Sequence, residues 1–221
     1  MIHALFDTST NLASFALFKD NELLVEDSRQ GQRGASSLLP WVAELIEAEG
    51  FSLNDVTHWT VGIGPGSFTG LRVSIAFIKG VCFASGAKHR GVTSSLGLLT
   101  QVMGNTAIVI HDGRQEEIIV HKLARKGSSW ETTSIAIEKI VDFEVDEDLE
   151  YFTTMKEEQF ELNPLLASTV FCIEQIKSSG LASCEEWPVD KAATEKSTEP
   201  IYVRPPVFVD PIVKKDVSHL L

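Results

Sequence analysis

Two short segments of the chain carry residues whose types and spacing suit phosphate or metal chemistry: Asp7-Thr8-Ser9-Thr10 and Gly64-Pro65-Gly66-Ser67-Phe68-Thr69-Gly70. In the first, hydroxyls and backbone N–H groups of a turn can hold a phosphate, and the Asp7 carboxylate can hold a hydrated Mg²⁺. Aspartate and threonine are equally ordinary turn residues. Asp112, in Ile110-His111-Asp112-Gly113, repeats the arrangement 105 positions after Asp7. The glycine segment follows an apolar run and opens a helical pattern, a context in which N–H groups can cradle an anion. A Walker A loop needs Lys and Ser or Thr after its last glycine, whereas Leu71-Arg72 stand here. A dinucleotide fingerprint needs an acid about 20 residues on, and a nucleophile elbow needs a central Ser where the chain has Phe68. Three readings remain: a tight turn whose glycines permit close packing, an anion site, or a partner surface.

Other chemistry finds little support. The six histidines contain no close pair suited to zinc, and the three cysteines show no Cys-x-x-Cys spacing. No metal site is expected. The run from Asp142 to Glu150, six acids in nine residues, reads as a solvated loop without apolar neighbours to raise a carboxyl pKa.

These residues must be positioned by strands and helices. The apolar runs Ile2–Phe6, Leu12–Lys19 and Glu22–Asp27 are separated by turn residues and predict a three-stranded meander. Leu38, Leu39, Val42, Leu45 and Ile46 lie on one face of a helix over 36–49, closed by Gly50. A strand near Trp59–Ile63 precedes the glycine segment, and a helix is predicted from Leu71 to Ser85. That helix has two apolar stripes, one of Leu71, Ile75, Ile78 and Cys82, the other of Val73, Phe77, Val81 and Ala84. A helix apolar nearly all round must be covered on two sides, by its own fold or by a partner. We expect Ile75 and Ile78 to face inward and Val73 and Phe77 outward. Ala107–Ile110 and Ile118–Leu123 then echo the first hairpin and suggest an internal duplication. Further on, a strand is expected near Thr132–Ile137, and a helical face over Leu165–Ile176 ends at Gly180. Residues 183–221 read as mostly turn-like.

Composition bounds the rest. The 221 residues are 43% hydrophobic and 23% charged, as in a soluble globular protein of one large unit or two small lobes. Residues 1–103 hold 11 of the 15 glycines and carry a net charge of −2, while 104–221 carry −10. Two lobes are therefore expected, a glycine-rich first (1–103) and an acidic second (104–221). The total of −12 opposes independent binding to nucleic acid. The N-terminal apolar runs are broken by Asp7, Lys19 and Asp20, so no leader or spanning segment is expected there, and the cysteine pattern suits a cytoplasmic protein.

Several strings together are specific. Asp7-Thr8-Ser9-Thr10, Leu38-Leu39-Pro40, Gly62 to Arg72 with Lys79-Gly80, Gly91-Val92-Thr93-Ser94 and the late Tyr202-Val203-Arg204 resemble the bacterial TsaB (YeaZ) family. The resemblance is strong over about residues 1–100 and thin thereafter. It implies an α/β, actin-like ATPase (ASKHA) fold of two βββαβα lobes, the second divergent. It implies a non-catalytic subunit in the synthesis of threonylcarbamoyladenosine in tRNA, pairing with a catalytic TsaD-type subunit and joined by a TsaE-type ATPase. Alone, such a chain is expected to homodimerise, to reach tRNA only through the complex, and to have no membrane role. No cofactor is expected for the chain itself, with ATP or ADP at the complex interface. Asp7, Thr8, Ser9, Thr10 and Asp112 would be vestigial phosphate hairpins. The pairing surface would comprise Leu38, Val42, Leu45, Gly66, Ser67, Phe68, Thr69, Leu71, Val73, Phe77 and Val81. The family's usual His before Leu-Leu-Pro is replaced by Gly34-Ala35-Ser36-Ser37. An autonomous ATPase or small-molecule kinase on the same fold is the competing expectation. The absence of glycine from Ser128 to Ser179, where an adenosine turn is needed, weighs against it.

Overall fold

A computed structural model describes residues 1–30, 37–100, 102–183, 187 and 191–203. Two five-stranded sheets organise it. The first contains β1 (Ile2–Asp7), β2 (Leu12–Lys19), β3 (Glu22–Gln30), β4 (His58–Gly62) and β5 (Lys88–Val92) in the order β3-β2-β1-β4-β5. The meander is antiparallel, while β4 and β5 run parallel to β1. The second contains β6 (Thr106–Arg114), β7 (Glu117–Lys126), β8 (Ser129–Lys139), β9 (Glu150–Thr153) and β10 (Val170–Cys172) in the order β10-β9-β6-β7-β8. Its pairing directions match those of the first sheet. The duplication is thus real in topology.

Helix α1 (Leu38–Ala48) connects β3 to β4, and α2 (Phe68–Ser85) connects β4 to β5. Ser67 caps α2 by accepting from Gly70 N–H, so the helix starts three residues earlier than its apolar periodicity predicts. Gly86, at φ +75°, ends it in the left-handed conformation that glycine tolerates. The second sheet departs from the βββαβα order. Between β8 and β9 stands only a 3-10 turn, Ile140–Asp142, and α3 (Pro164–Thr169) is a single short helix. The helix expected through Ile176 stops at Thr169, because Val170-Phe171-Cys172 pairs with β9 as a parallel strand.

The expected division at Gly104 does not describe how the C-terminal segment packs. The 3-10 turn Ser178–Ser183 lies on β1, β2 and β4, and α4 (Lys191–Ser197) lies on β5. Ser14 Oγ meets Ser178 Oγ at 2.7 Å, and Ile201 N–H donates to the Ile63 carbonyl at 2.8 Å. One core lies between the first sheet and its helices, built on Phe6, Phe15, Trp41, Trp59 and Ile78. A second joins the sheets through Leu5, Val92, Leu98, Val109, Phe152 and Leu181, and a third backs the second sheet around Ile108, Tyr151 and Phe160.

Candidate functional site: a closed phosphate turn and an open helix groove

The turn after β1 lies directly beneath the glycine segment. Ser67 N–H donates to the Ser9 carbonyl at 2.6 Å, and the Thr8 hydroxyl donates to the Gly70 carbonyl at 2.7 Å. Gly70 N–H donates to Ser67 Oγ and Leu71 N–H to the Ser67 carbonyl, so these donors are spent inside the chain. A Cβ on Gly66 would overlap the Ser9 backbone, and one on Gly70 would overlap the Thr8 carbonyl. The glycines permit backbone to approach backbone, which is the close-packing reading. The space an anion would need is occupied by Thr8 and Ser9.

Asp7 is fully buried. Its Oδ1 accepts from Ser9 N–H at 2.7 Å and from the Ser9 hydroxyl at 2.6 Å. Among the described residues its Oδ2 has no hydrogen-bond partner in place, and it presses on Gly62, where a Cβ would overlap it. Burial raises the carboxyl pKa. The hydroxyls of Ser9 and Ser94 and the Ser9 N–H oppose that shift. Thr10 Oγ1 is occupied with the Leu12 backbone. A hydrated magnesium ion or a nucleotide phosphate does not fit this turn.

Asp112 is not the counterpart of Asp7. Matching the sheets by the residues that share the inter-sheet core pairs Leu5 with Val109, an offset of 104 rather than 105. Because side chains alternate across a strand, one residue of shift exchanges faces. His111 therefore takes the place of Asp7, and Asp112 is exposed with its carboxylate bonded to Arg114 N–H at 2.7 Å. His111 Nε2 and His121 Nδ1 each lie 2.8 Å from the Ser95 hydroxyl, and His121 Nε2 lies 2.8 Å from Thr132 Oγ1. Burial, with the second histidine nearby, drives the His111 pKa down to about 3, and burial drives that of His121 to about 4. A neutral histidine seam between the sheets stands where the second phosphate hairpin was expected. His111 and His121 lie ten positions apart on neighbouring strands, a spacing that carries no metal-ligand or local-pattern signal.

The other face of the first lobe is open. A groove of about 720 Å³ runs between α1 and α2, lined by Leu39, Pro40, Phe68, Thr69, Arg72, Val73, Ala76 and Phe77. Helix α2 has a mean hydropathy of 1.3 over 18 residues, long and apolar enough to cross a membrane, yet only 28% of it is buried. Its inward stripe is Leu71, Ile75, Ile78 and Cys82, as expected for Ile75 and Ile78. The expected pairing residues need correction. Leu38, Val42 and Leu71 are at most 5% exposed and belong to the fold's own interior. Val73, Phe77, Val81 and Leu45 are half-buried against the first core. Val73 and Phe77 both line the groove, Phe77 while packing its ring 5.3 Å from Phe6 and 6.1 Å from Trp59. Gly66, Phe68 and Thr69 are exposed, and Ser67 is half-buried as the cap. The outward stripe is instead Phe68, Thr69, Arg72, Ala76, Gly80 and Phe83, with Phe83 93% exposed. The run of small residues at Ala76 and Gly80 was its sequence signal.

Two topologically matched sheets, with the first strand's aspartate sealed beneath a glycine turn, define an actin-like, ATPase-type fold whose own phosphate turn is shut. Comparison with known proteins narrows this class. Residues 31–187 match the family model described as TsaD, tRNA N6-adenosine threonylcarbamoyltransferase. The TsaB protein of Escherichia coli is 31% identical over 98 residues, 44% of this chain and 41% of that protein. That of Haemophilus influenzae is 34% identical over 79 residues, 36% and 34% of the two chains. The matched stretch thus spans less than half the length of these curated relatives. The solved structure of YeaZ from Pseudomonas aeruginosa superposes with a TM-score of 0.70 at 21% identity, covering 91% of this chain and 99% of that one. The chain belongs to the family described as TsaD, tRNA N6-adenosine threonylcarbamoyltransferase, and over part of its length it is similar to TsaB (YeaZ) proteins.

Proposed function

We propose that the chain is a non-catalytic subunit of the machinery that makes N6-threonylcarbamoyladenosine in tRNA, docking through the α1–α2 groove onto a TsaD-type catalytic subunit. The observation that carries this reading is an 18-residue apolar helix, packed on its sheet by one face and left open along Phe68, Thr69, Arg72, Ala76 and Phe83. Covering such a groove removes apolar surface from water, worth roughly 25 cal/mol per Å², and aromatic and Arg side chains at its centre suit an interface. The curated TsaB relatives are described as threonylcarbamoyladenosine biosynthesis proteins, which supports the pathway. The shut turn at Asp7 supports assigning nucleotide to the assembled complex, with a TsaE-type ATPase, and not to this chain alone. The net charge of −12 supports contact with tRNA through a more basic partner, in the cytoplasm. Alone, the same groove would pair two copies of the chain.

The test is co-purification of the full chain with the TsaD-type subunit of its own cell. Ala76→Glu places a charge on an exposed groove position. It is expected to abolish co-purification and tRNA modification while leaving the melting temperature unchanged. Undiminished co-purification of a folded Ala76→Glu chain would remove the groove from the interface.

A further inference from the structure

We propose that Arg72 decides what the α1–α2 groove accepts: it favours a partner that presents a carboxylate among apolar side chains and disfavours a second copy of this chain. The proposal rests on reading the groove as a partner surface and adds the chemistry by which that surface chooses.

Among the described residues that line the groove, Arg72 is the one that carries a charge. It stands in the middle of the stretch of α2 that faces the groove, with Phe68 and Thr69 before it and Ala76 and Phe77 after it. Its side chain is exposed, yet its guanidinium is held in place. The guanidinium carbon lies 3.9 Å from the centre of the Phe68 ring and 5.9 Å from that of Tyr202, and Nε donates to the Tyr202 hydroxyl at 3.1 Å. The two rings pack on each other with centres 5.1 Å apart, and the Ile201 N–H beside Tyr202 is tied to the Ile63 carbonyl. With Nε spent on Tyr202, the edge formed by Nη1 and Nη2 is the one an occupant meets. No carboxylate among the described residues forms an ion pair with it.

A guanidinium fork takes a carboxylate through two parallel hydrogen bonds, and one already fixed against two rings loses little side-chain freedom in doing so. An apolar occupant without an acid would bury the cation unpaired, which is strongly unfavourable. Two copies related by a two-fold axis meet through the same patch. Self-pairing through the groove therefore brings two cations and no lining acid into one interface. The exposed acids of α1, Glu44 and Glu47, are not among the lining residues. The pair of identical chains is then the weak assembly that a partner with a suitably placed acid replaces, a choice made by a repulsive element as well as an attractive one.

The experiment measures two affinities of the full chain, capture of the TsaD-type subunit of its own cell and self-association by sedimentation, at about 0.05 M and about 0.5 M salt. Arg72→Ala is expected to weaken capture about tenfold or more, to flatten its salt dependence, and to leave self-association unchanged or tighter. Arg72→Lys keeps the charge but loses the fork, and is expected to recover only part of the capture. Arg72→Met, which keeps an apolar stem over Phe68, replaces Arg72→Ala should the melting temperature fall. Undiminished capture by the folded uncharged variant, full capture by Arg72→Lys, or self-association that weakens as much as capture overturns the proposal. If Ala76→Glu abolishes capture while Arg72→Ala does not, selection by Arg72 fails and the groove reading stands. If Ala76→Glu leaves capture intact, the groove reading fails and the proposal with it.

Discussion

Acidification from pH 7.5 to 5 should weaken the chain through the histidine seam between its sheets. His111 and His121 are 5% and 0% exposed and share the Ser95 hydroxyl. In the unfolded chain each titrates near pH 6.5, whereas burial holds them to about 3 and about 4. With folded values below unfolded ones, the unfolded state binds more protons over this window. Stability is therefore complete above pH 6.5 and is lost as pH falls towards the folded values. At pH 5, about 1.5 units below the unfolded value, each histidine costs about 2 kcal/mol and the pair about 4 kcal/mol. That is a large part of a typical domain's stability of about 5–15 kcal/mol. Two other buried groups titrate: His3, held to about 3 mainly by burial, adds to the loss, while Asp7, raised by burial, opposes it. A His111→Gln/His121→Gln chain isolates the seam. Urea unfolding at pH 7.5, 6 and 5 should show a steep fall for the unaltered chain and a shallower one for the variant, whatever its starting stability. Parallel pH dependences would refute the argument.

Other expectations follow from single contacts. Asp7→Asn removes a charge from a sealed carboxyl, so the urea midpoint at pH 8 should be unchanged or raised; a loss of more than about 2 kcal/mol would show that the ionised carboxylate stabilises the turn. Gly70→Ala, whose Cβ meets the Thr8 carbonyl, should cost about 1–3 kcal/mol. Gly80→Ala, with nothing within 4 Å, should gain up to about 1 kcal/mol of helix propensity, and calorimetry that reversed their order would contradict the packing of the loop. Leu71→Ala should cost about 2–5 kcal/mol and Phe83→Ala under about 0.5 kcal/mol, a contrast that equal melting temperatures would erase.

The meander and α1 were legible because polar turn residues separate their apolar runs and Gly50 closes the helix. Strand β5 was not, since Lys88-His89-Arg90 looks like surface. Arg90 is only 2% exposed, bonds Thr60 Oγ1 at 3.0 Å and stacks 4.2 Å from the Trp187 ring, a tertiary arrangement no local pattern encodes. Val170-Phe171-Cys172 was hidden within a helical periodicity because a three-residue strand is too short to show a period of two. The Asp7–Asp112 correspondence failed on parity, because sequence offset alone does not say which face of a sheet a side chain takes. In α2 the two stripes were separable, but their direction depended on where α1 lies.

The shut turn and the open groove are consequences of one local arrangement. Ser67 receives the Ser9 carbonyl on its N–H and caps α2 with its side chain, while the Thr8 hydroxyl holds the Gly70 carbonyl. The contacts that close the phosphate turn therefore also anchor the first turn of α2, and that turn carries Phe68, Thr69 and Arg72 into the groove. A bound nucleotide would require Thr8 and Ser9 to withdraw from Gly66 and Gly70, releasing the end of the helix on which the groove is built. Filling the turn with the chain's own backbone leaves no room there for a ligand and at the same time holds one end of the groove in one shape. That is the physical sense in which an ATPase-type fold can serve as a partner for catalysis carried by another chain.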